Sequence, residues 1–117
     1  MDNTKLTQLQ NLHVTAWNEK DPSARIGLLE QIYAPDIKMY DKDFILEGIA
    51  AVSDFIGKIS QDPAFDFAAA GPIESVQDSA RLNGTIQTSG GLLNSMDFFL
   101  LEDGKVKHYY AFMTPAG

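Results

Sequence analysis

The chain has 117 residues, the size of one domain (residues 1–117), and its 44% hydrophobic and 21% charged residues exclude a disordered polymer. Lys and Arg number 9 against 16 Asp and Glu, and the resulting net charge of −7 repels phosphate backbones and anionic lipid, so neither nucleic acid nor membrane is an expected partner. Cysteine is absent, which removes disulfides, thiolate metal sites and thiol nucleophiles. The opening MDNTKLTQLQ lacks the pattern of a signal peptide, and no run of roughly 18 apolar residues exists, so a cytoplasmic location is expected.

From Leu6 to Trp17 the apolar residues recur at helical spacing, with Asn3 or Thr4 available as a cap. Asp21-Pro22 opens a second helix, whose inner face is Ile26, Leu29, Ile32 and Tyr33 and which Pro35 should stop. Asp36 to Asp41 reads as a short strand. Gly48 begins a third helix with Val52, Phe55, Ile56 and Ile59 on one face, closed by Asp62-Pro63. Beyond Pro63 the period becomes two: Phe65, Phe67 and Ala69 form one strand face, Ile73 to Gln77 a second strand, and Ala80, Leu82, Gly84 and Ile86 a third. Leu92 to Glu102 and Lys105 to Met113 flank Asp103-Gly104, a hairpin signal. Helices first and an antiparallel meander last predict an α+β domain, three N-terminal helices on one face of a mostly antiparallel sheet.

The last hairpin is apolar on both faces. A type I turn with glycine in a left-handed bulge would set Leu101 opposite Lys105 and Asp97 opposite Tyr109. Ser95, Asp97, Phe99, Tyr109, Ala111 and Met113 then share the helix-facing side. Met96, Phe98, Leu100, Val106, His108, Tyr110 and Phe112 share the other. A two-residue loop would shift one strand by one position and mix these sets. Helices can cover only one side, so the outer side is expected to be buried in a homodimer, the alternative being cover by the sheet's own curl or the C-terminal tail.

Several catalytic patterns are missing. There is no phosphate-binding glycine loop, no nucleophile elbow, and His13 and His108 lack metal-ligand spacing, so neither a metal nor a cofactor is expected. What stands out is carboxylates in apolar settings. Asp97 lies mid-strand in Ser-Met-Asp-Phe-Phe-Leu-Leu, where burial demands a partner, whether structural or catalytic. Asp41 ends a strand after Met39-Tyr40 and equally suits the turn into Lys42-Asp43. His13 shares a helix stripe with Leu6, Leu9 and Trp17, a place as suited to a core-edge histidine as to a reacting one. Trp17, Tyr33, Tyr40, Phe55 and Phe67 read as core or as pocket wall.

The run His13-Val14-Thr15-Ala16-Trp17-Asn18-Glu19-Lys20-Asp21, the helix Ile26 to Tyr33, Tyr40-Asp41, Gly48 to Ile56, and the hairpin Met96-Asp97-Phe98-Phe99 with Glu102-Asp103-Gly104-Lys105-Val106 resemble the nuclear transport factor 2-like (NTF2-like) superfamily along essentially the whole chain. Within it the chain is similar to the SnoaL-like (polyketide cyclase-like) and ketosteroid isomerase-like branches. The resemblance implies a cone-shaped NTF2-like/cystatin-like fold with an apolar pocket between helices and a strongly curved sheet. It implies an acid/base role for Asp97, a base at Asp41 and an aromatic pocket residue at Phe55. It also puts His13 where the isomerases keep a tyrosine donor and Ile56 where they keep a supporting tyrosine. A histidine there pairs with Asp97 and favours its acceptor form, which cannot donate to an enolate, so a steroid isomerase is not expected.

The reading that follows is a cofactor-free acid/base enzyme, of isomerase, cyclase or dehydratase type, on a small apolar carbonyl compound. His13, Asp97 and Asp41 are its expected catalytic groups. The expected pocket wall is Trp17, Tyr33, Tyr40, Phe55, Ile56, Phe67, Phe99, Tyr109, Ala111 and Met113. Two alternatives share the fold: a non-catalytic small-molecule binder, and a protein-interaction module using the hairpin face. An Asp–Arg–Asp hydrolase site is not expected, since neither Arg25 nor Arg81 reads as inward-facing.

Overall fold

The Asp2 carboxylate accepts the Lys5 backbone N–H and caps α1 (Asn3–Asn18), one residue ahead of the expected cap, where a carboxylate also favours the helix dipole. The computed structural model describes residues 2–116. Leu6, Leu9, His13, Ala16 and Trp17 form the buried stripe of α1. Asp21 caps α2 (Pro22–Ile32) by accepting the Ala24 N–H, with proline at the first turn as expected. That helix stops at Ile32, because Pro35 disfavours helical backbone before it and the extended segment starts at Tyr33. The first strand, β1 (Tyr33–Tyr40), is therefore longer than expected, and β2 (Ile45–Glu47) is an addition too short and exposed to leave an alternation signal. Gly48, at φ +89°, turns the chain into α3 (Ile49–Ile59).

The remaining strands are β3 (Asp66–Ala69), β4 (Glu74–Val76), β5 (Ser79–Thr88), β6 (Gly91–Glu102) and β7 (Lys105–Pro115). They complete a curved seven-stranded sheet ordered β2-β1-β7-β6-β5-β3, with β4 also on β5. Every pairing is antiparallel except β1 with β7. The helices lie on one face, and the core they share with the sheet includes Leu29, Ile37, Val52, Ile56, Leu82 and Phe99.

The final hairpin departs from the expected turn. Asp103 (φ +53°) and Gly104 (φ +78°) both adopt the left-handed region, as a two-residue type I′ turn requires, and Glu102 pairs with Lys105. A register shift follows at once: Leu101 pairs with Val106, but Leu100 pairs with His108, leaving Lys107 as the extra residue of a bulge. The bulge reverses the shift that the short turn introduces. Asp97 consequently sits opposite Ala111 and Phe99 opposite Tyr109, not Asp97 opposite Tyr109, yet the two face sets survive. Val106 is the exception. It precedes the bulge, so it points to the core instead of the outer face and is fully buried. Lys107 is held by an ion pair to Asp36, which lowers the Asp36 carboxyl and raises the Lys107 amine from their ordinary values.

On the outer face, cross-strand register builds a row Ile45–Tyr40–Tyr110–Phe98–Arg81–Glu74. Tyr40 stacks on Tyr110 at 4.4 Å and 9°, and its hydroxyl is 2.9 Å from His108 Nδ1. Ion pairs border this apolar row at both sheet edges, Lys38 with Glu47 and Arg81 with Glu74.

Two buried features were not legible beforehand. Arg25 is only 3% exposed; its Nε donates to Ser53 Oγ and an Nη to the Glu19 carbonyl, so it joins α2 to α3 away from the cavity. Gly84 lets β3 and the Phe67 ring close on β5: a Cβ there would lie 2.8 Å from the Ala68 carbonyl oxygen and from the Phe67 ring. Gly84→Ala is expected to destabilise the fold by about 1–3 kcal/mol through overpacking. Gly27→Ala, with nothing within 4 Å of the added Cβ and a helical position, should stabilise it by roughly 0.5–1 kcal/mol. Urea denaturation midpoints of the two variants check the pair.

Candidate active site

Inward-facing residues of α1, α3 and the curved sheet enclose an open cavity of about 430 Å³. Its wall comprises Trp17 from α1, Phe55 and Ile59 from α3, Met39 from β1, Phe67 from β3 and Ile86 from β5. Leu93 and Asp97 of β6 and Tyr109, Ala111 and Met113 of β7 complete the sheet side. Phe65, Asp62, Lys58 and Thr88 also line it. Strand alternation explains the set. Asp97, Tyr109 and Ala111 are successive inward positions across β6 and β7, so one carboxylate enters the mainly apolar part of the wall that these two strands supply.

A buried chain of side chains holds that carboxylate. Trp17 Nε1–H donates to Tyr33 Oη at 3.0 Å, and Tyr33 Oη lies 2.7 Å from His13 Nδ1. His13 Nε2 is 3.0 Å from Asp97 Oδ2, while the Tyr109 hydroxyl donates to Asp97 Oδ1 at 2.8 Å. Indole can only donate, so Tyr33 accepts from Trp17; among the described residues His13 Nδ1 is the one acceptor within reach of the buried Tyr33 proton and takes it. His13 then carries its proton on Nε2 and donates it to Asp97. Every donor in the chain points toward the carboxylate. Phe67, Phe99, Trp17 and Tyr109 pack around the imidazole with ring centroids 5.0–5.9 Å away, which fixes its plane.

Burial separates the expected residues into layers. The Asp97 side chain is 4% exposed and lines the cavity; that of His13 is 0% exposed and does not. Both His13 nitrogens are occupied within the protein, behind the cavity wall. Trp17, Phe55, Phe67, Tyr109, Ala111 and Met113 line the cavity. Tyr33, Ile56 and Phe99 lie one layer behind it in the core, and Tyr40 is on the opposite face of the sheet because Met39 takes the inward position. Asp41 is not part of the wall. Its N–H bonds to the Phe44 carbonyl and its carboxylate accepts the Asp43 N–H, the turn arrangement that its position also suited. Of the wall residues not singled out, Met39 and Ile86 were recoverable from strand parity and Ile59 from the apolar face of α3. Phe65 and Leu93 carried the same signal, Phe65 by its alternation with Phe67 and Leu93 by its parity with Asp97.

Burial raises the Tyr33 phenol well above its ordinary 10.0; the Trp17 hydrogen bond partly opposes this, and the Asp97 charge adds a smaller push upward. Burial likewise raises Tyr109, reinforced by the charges of Asp97, Tyr33 and Asp41 and by the hydrogen bond to Asp97. At Asp62 the backbone N–H groups of Ser89 and Ala64 and the Ser89 hydroxyl lower the carboxyl, which keeps it an anion on the cavity wall. Among the described residues no cluster of three or more His, Asp or Glu could hold a metal ion, and no helix is long and apolar enough to cross a membrane.

No protein-family model matches the chain, and no curated protein matches it. Solved structures do. A SnoaL-like family protein from Agrobacterium tumefaciens str. C58 superposes with a TM-score of 0.82 at 21% identity, over 95% of this chain and 98% of that one. An NTF2-like protein of unknown function from Burkholderia xenovorans LB400 gives 0.76 at 14% identity, over 97% and 86%. A de novo designed protein with a curved β-sheet gives 0.77 at 14% identity, over 98% and 89%. The chain thus has the NTF2-like fold of SnoaL-like proteins, and a fold does not by itself assign an activity.

Tyr33→Phe removes the acceptor of Trp17 N–H and the donor to His13 Nδ1, and should cost about 1–3 kcal/mol of stability. In the native protein, ¹⁵N NMR should show His13 with a bare Nδ1 and a protonated Nε2. The raised phenols set a pH dependence. Their neutral form is favoured in the fold, so this stabilisation is complete below the ordinary phenol value of 10.0 and is lost as pH rises above it toward the folded values. Near-ultraviolet absorbance during alkaline titration should show Tyr33 and Tyr109 ionising only as the fold opens.

Proposed function

We propose that this chain binds a small, mainly apolar carbonyl compound between α1, α3 and the sheet and transfers a proton on it without a cofactor, with Asp97 as the base. One observation carries the reading: an almost fully buried carboxylate, held by two donors, opens onto an apolar cavity of about 430 Å³. A carboxylate so placed can take a proton from a carbon acid held in the cavity, away from bulk water. The C–H bond next to the carbonyl breaks, its proton goes to an Asp97 oxygen, and its electron pair moves onto the carbonyl oxygen as an enolate. Return of the proton to another atom of the ligand completes an isomerisation or the proton steps of a cyclisation. Tyr109 and His13 keep Asp97 aimed throughout.

A second reading, binding without turnover, has its own support. The donors of the wall are used within the protein: Trp17 N–H on Tyr33, Tyr109 O–H on Asp97, Thr88 O–H on the Gly91 carbonyl. An enolate oxygen would depend on redirection of Tyr109 or on Lys58. The cavity and the role of Asp97 as its acceptor are common to both readings.

The outer face supports a homodimer. Its apolar row is bordered by one acidic and one basic partner at each edge, so a second copy related by a two-fold axis can match both surface type and charge. Phe112, 55% exposed, extends the same face.

Hydrogen–deuterium exchange at the α-carbon of 2-cyclohexenone, followed by NMR, tests catalysis. The native protein should accelerate it, and Asp97→Asn should remove about 10²–10⁴-fold of the acceleration. Equal rates for the two would leave the binding reading alone. Sedimentation at micromolar concentration should show a dimer that Tyr110→Glu dissociates; a native monomer would contradict the interface.

A further inference from the structure

The direction of the hydrogen bonds restricts what the cavity can recognise. Trp17, Tyr33, His13 and Tyr109 all aim their protons along a chain that ends on Asp97, so the reachable polar group inside is an acceptor. A ligand that offers only acceptors finds no donor beside Asp97 and must reach the exposed Lys58 ammonium. One that brings its own N–H or a positive charge does.

Charge points the same way. The cavity wall carries two carboxylates, Asp97 and Asp62, and one ammonium, Lys58, which is exposed. His13 gives Asp97 an N–H and takes the Tyr33 proton on its other nitrogen, so no Lys or Arg side chain is paired with Asp97. Arg25, the buried cation, lies between α2 and α3 and does not line the cavity. The whole chain adds a net charge of −7, whose field favours entry of cations.

Aromatic rings supply the rest. Trp17, Phe55, Phe65, Phe67 and Tyr109 line the same space, and ring π-systems attract a weakly hydrated cation while accommodating its hydrocarbon substituents. A strongly hydrated metal ion or a primary ammonium loses more on entering such a wall than an alkylated nitrogen does.

We infer that the cavity takes an apolar monocation, a tertiary amine in its protonated form or a quaternary ammonium ion with a hydrocarbon body, whose nitrogen lies against Asp97 and whose alkyl groups lie on the aromatic wall. This rests on the cavity reading above and names a ligand class for it. A carbonyl compound bearing such a nitrogen satisfies both.

N,N-dimethylcyclohexylamine, a cation at neutral pH, and cyclohexyl methyl ketone, its neutral counterpart in shape, separate the possibilities by calorimetry and NMR. The amine should bind at least about tenfold more tightly than the ketone, with its N-methyl proton resonances shifted upfield by the rings. Asp97→Asn should abolish the preference while leaving ketone binding. Ketone binding as tight as or tighter than the amine overturns this inference and leaves the cavity reading intact. Amine binding without the upfield shift also overturns it, since the cation is then outside the aromatic wall. Binding of neither probe sinks both.

Discussion

The hydrogen bonds that converge on Asp97 are the constraint around which the interior is arranged. A carboxylate removed from water must be compensated, and here the compensation comes from His13 Nε2–H and Tyr109 O–H. That fixes the tautomer of His13, which fixes the role of Tyr33, which in turn needs the Trp17 indole as its donor. Four residues from α1, β1 and β7 are thereby oriented to hold one on β6. The same bonds leave the carboxylate's remaining face toward the cavity. Stability and site are therefore coupled: changes behind Asp97 act on the cavity without touching a ligand.

Much of this order was readable in the amino-acid pattern. Asp21-Pro22, the stripe from Leu6 to Trp17 and the alternation around Asp97 specify their elements by capping and period alone, and the structure follows them. The partnership of His13 and Asp97 came from family resemblance, since nothing in spacing relates residues 84 positions apart. What stayed hidden depends on tertiary contact. Arg25 looks like a surface residue until α3 supplies Ser53 and the space beside Gly57. Tyr33 and Phe99 look like wall until the cavity boundary is drawn in front of them. Tyr40 has the composition of a pocket residue and the parity of an outer one.

The final hairpin shows how two local deviations can cancel. A type I′ turn alone would have put Asp97 on the outer face or displaced its partners. The bulge at Lys107, pinned by Asp36, reverses that shift within a few residues, so the expected faces arise from a different turn. Val106, between the two deviations, is where the cancellation has not yet occurred. The fold is shared with natural proteins of several kinds and with a designed one, so the chemistry must be sought in the residues that this sheet presents.

A crystal structure of the protein soaked with N,N-dimethylcyclohexylamine tests most directly that Asp97 is the group a ligand meets. The expected density lies between Trp17, Phe55 and Tyr109, with the ligand nitrogen within hydrogen-bonding distance of an Asp97 oxygen and the His13 contact unchanged. A cavity closed by side chains, or a ligand seated there with Asp97 turned away from it, would contradict that role.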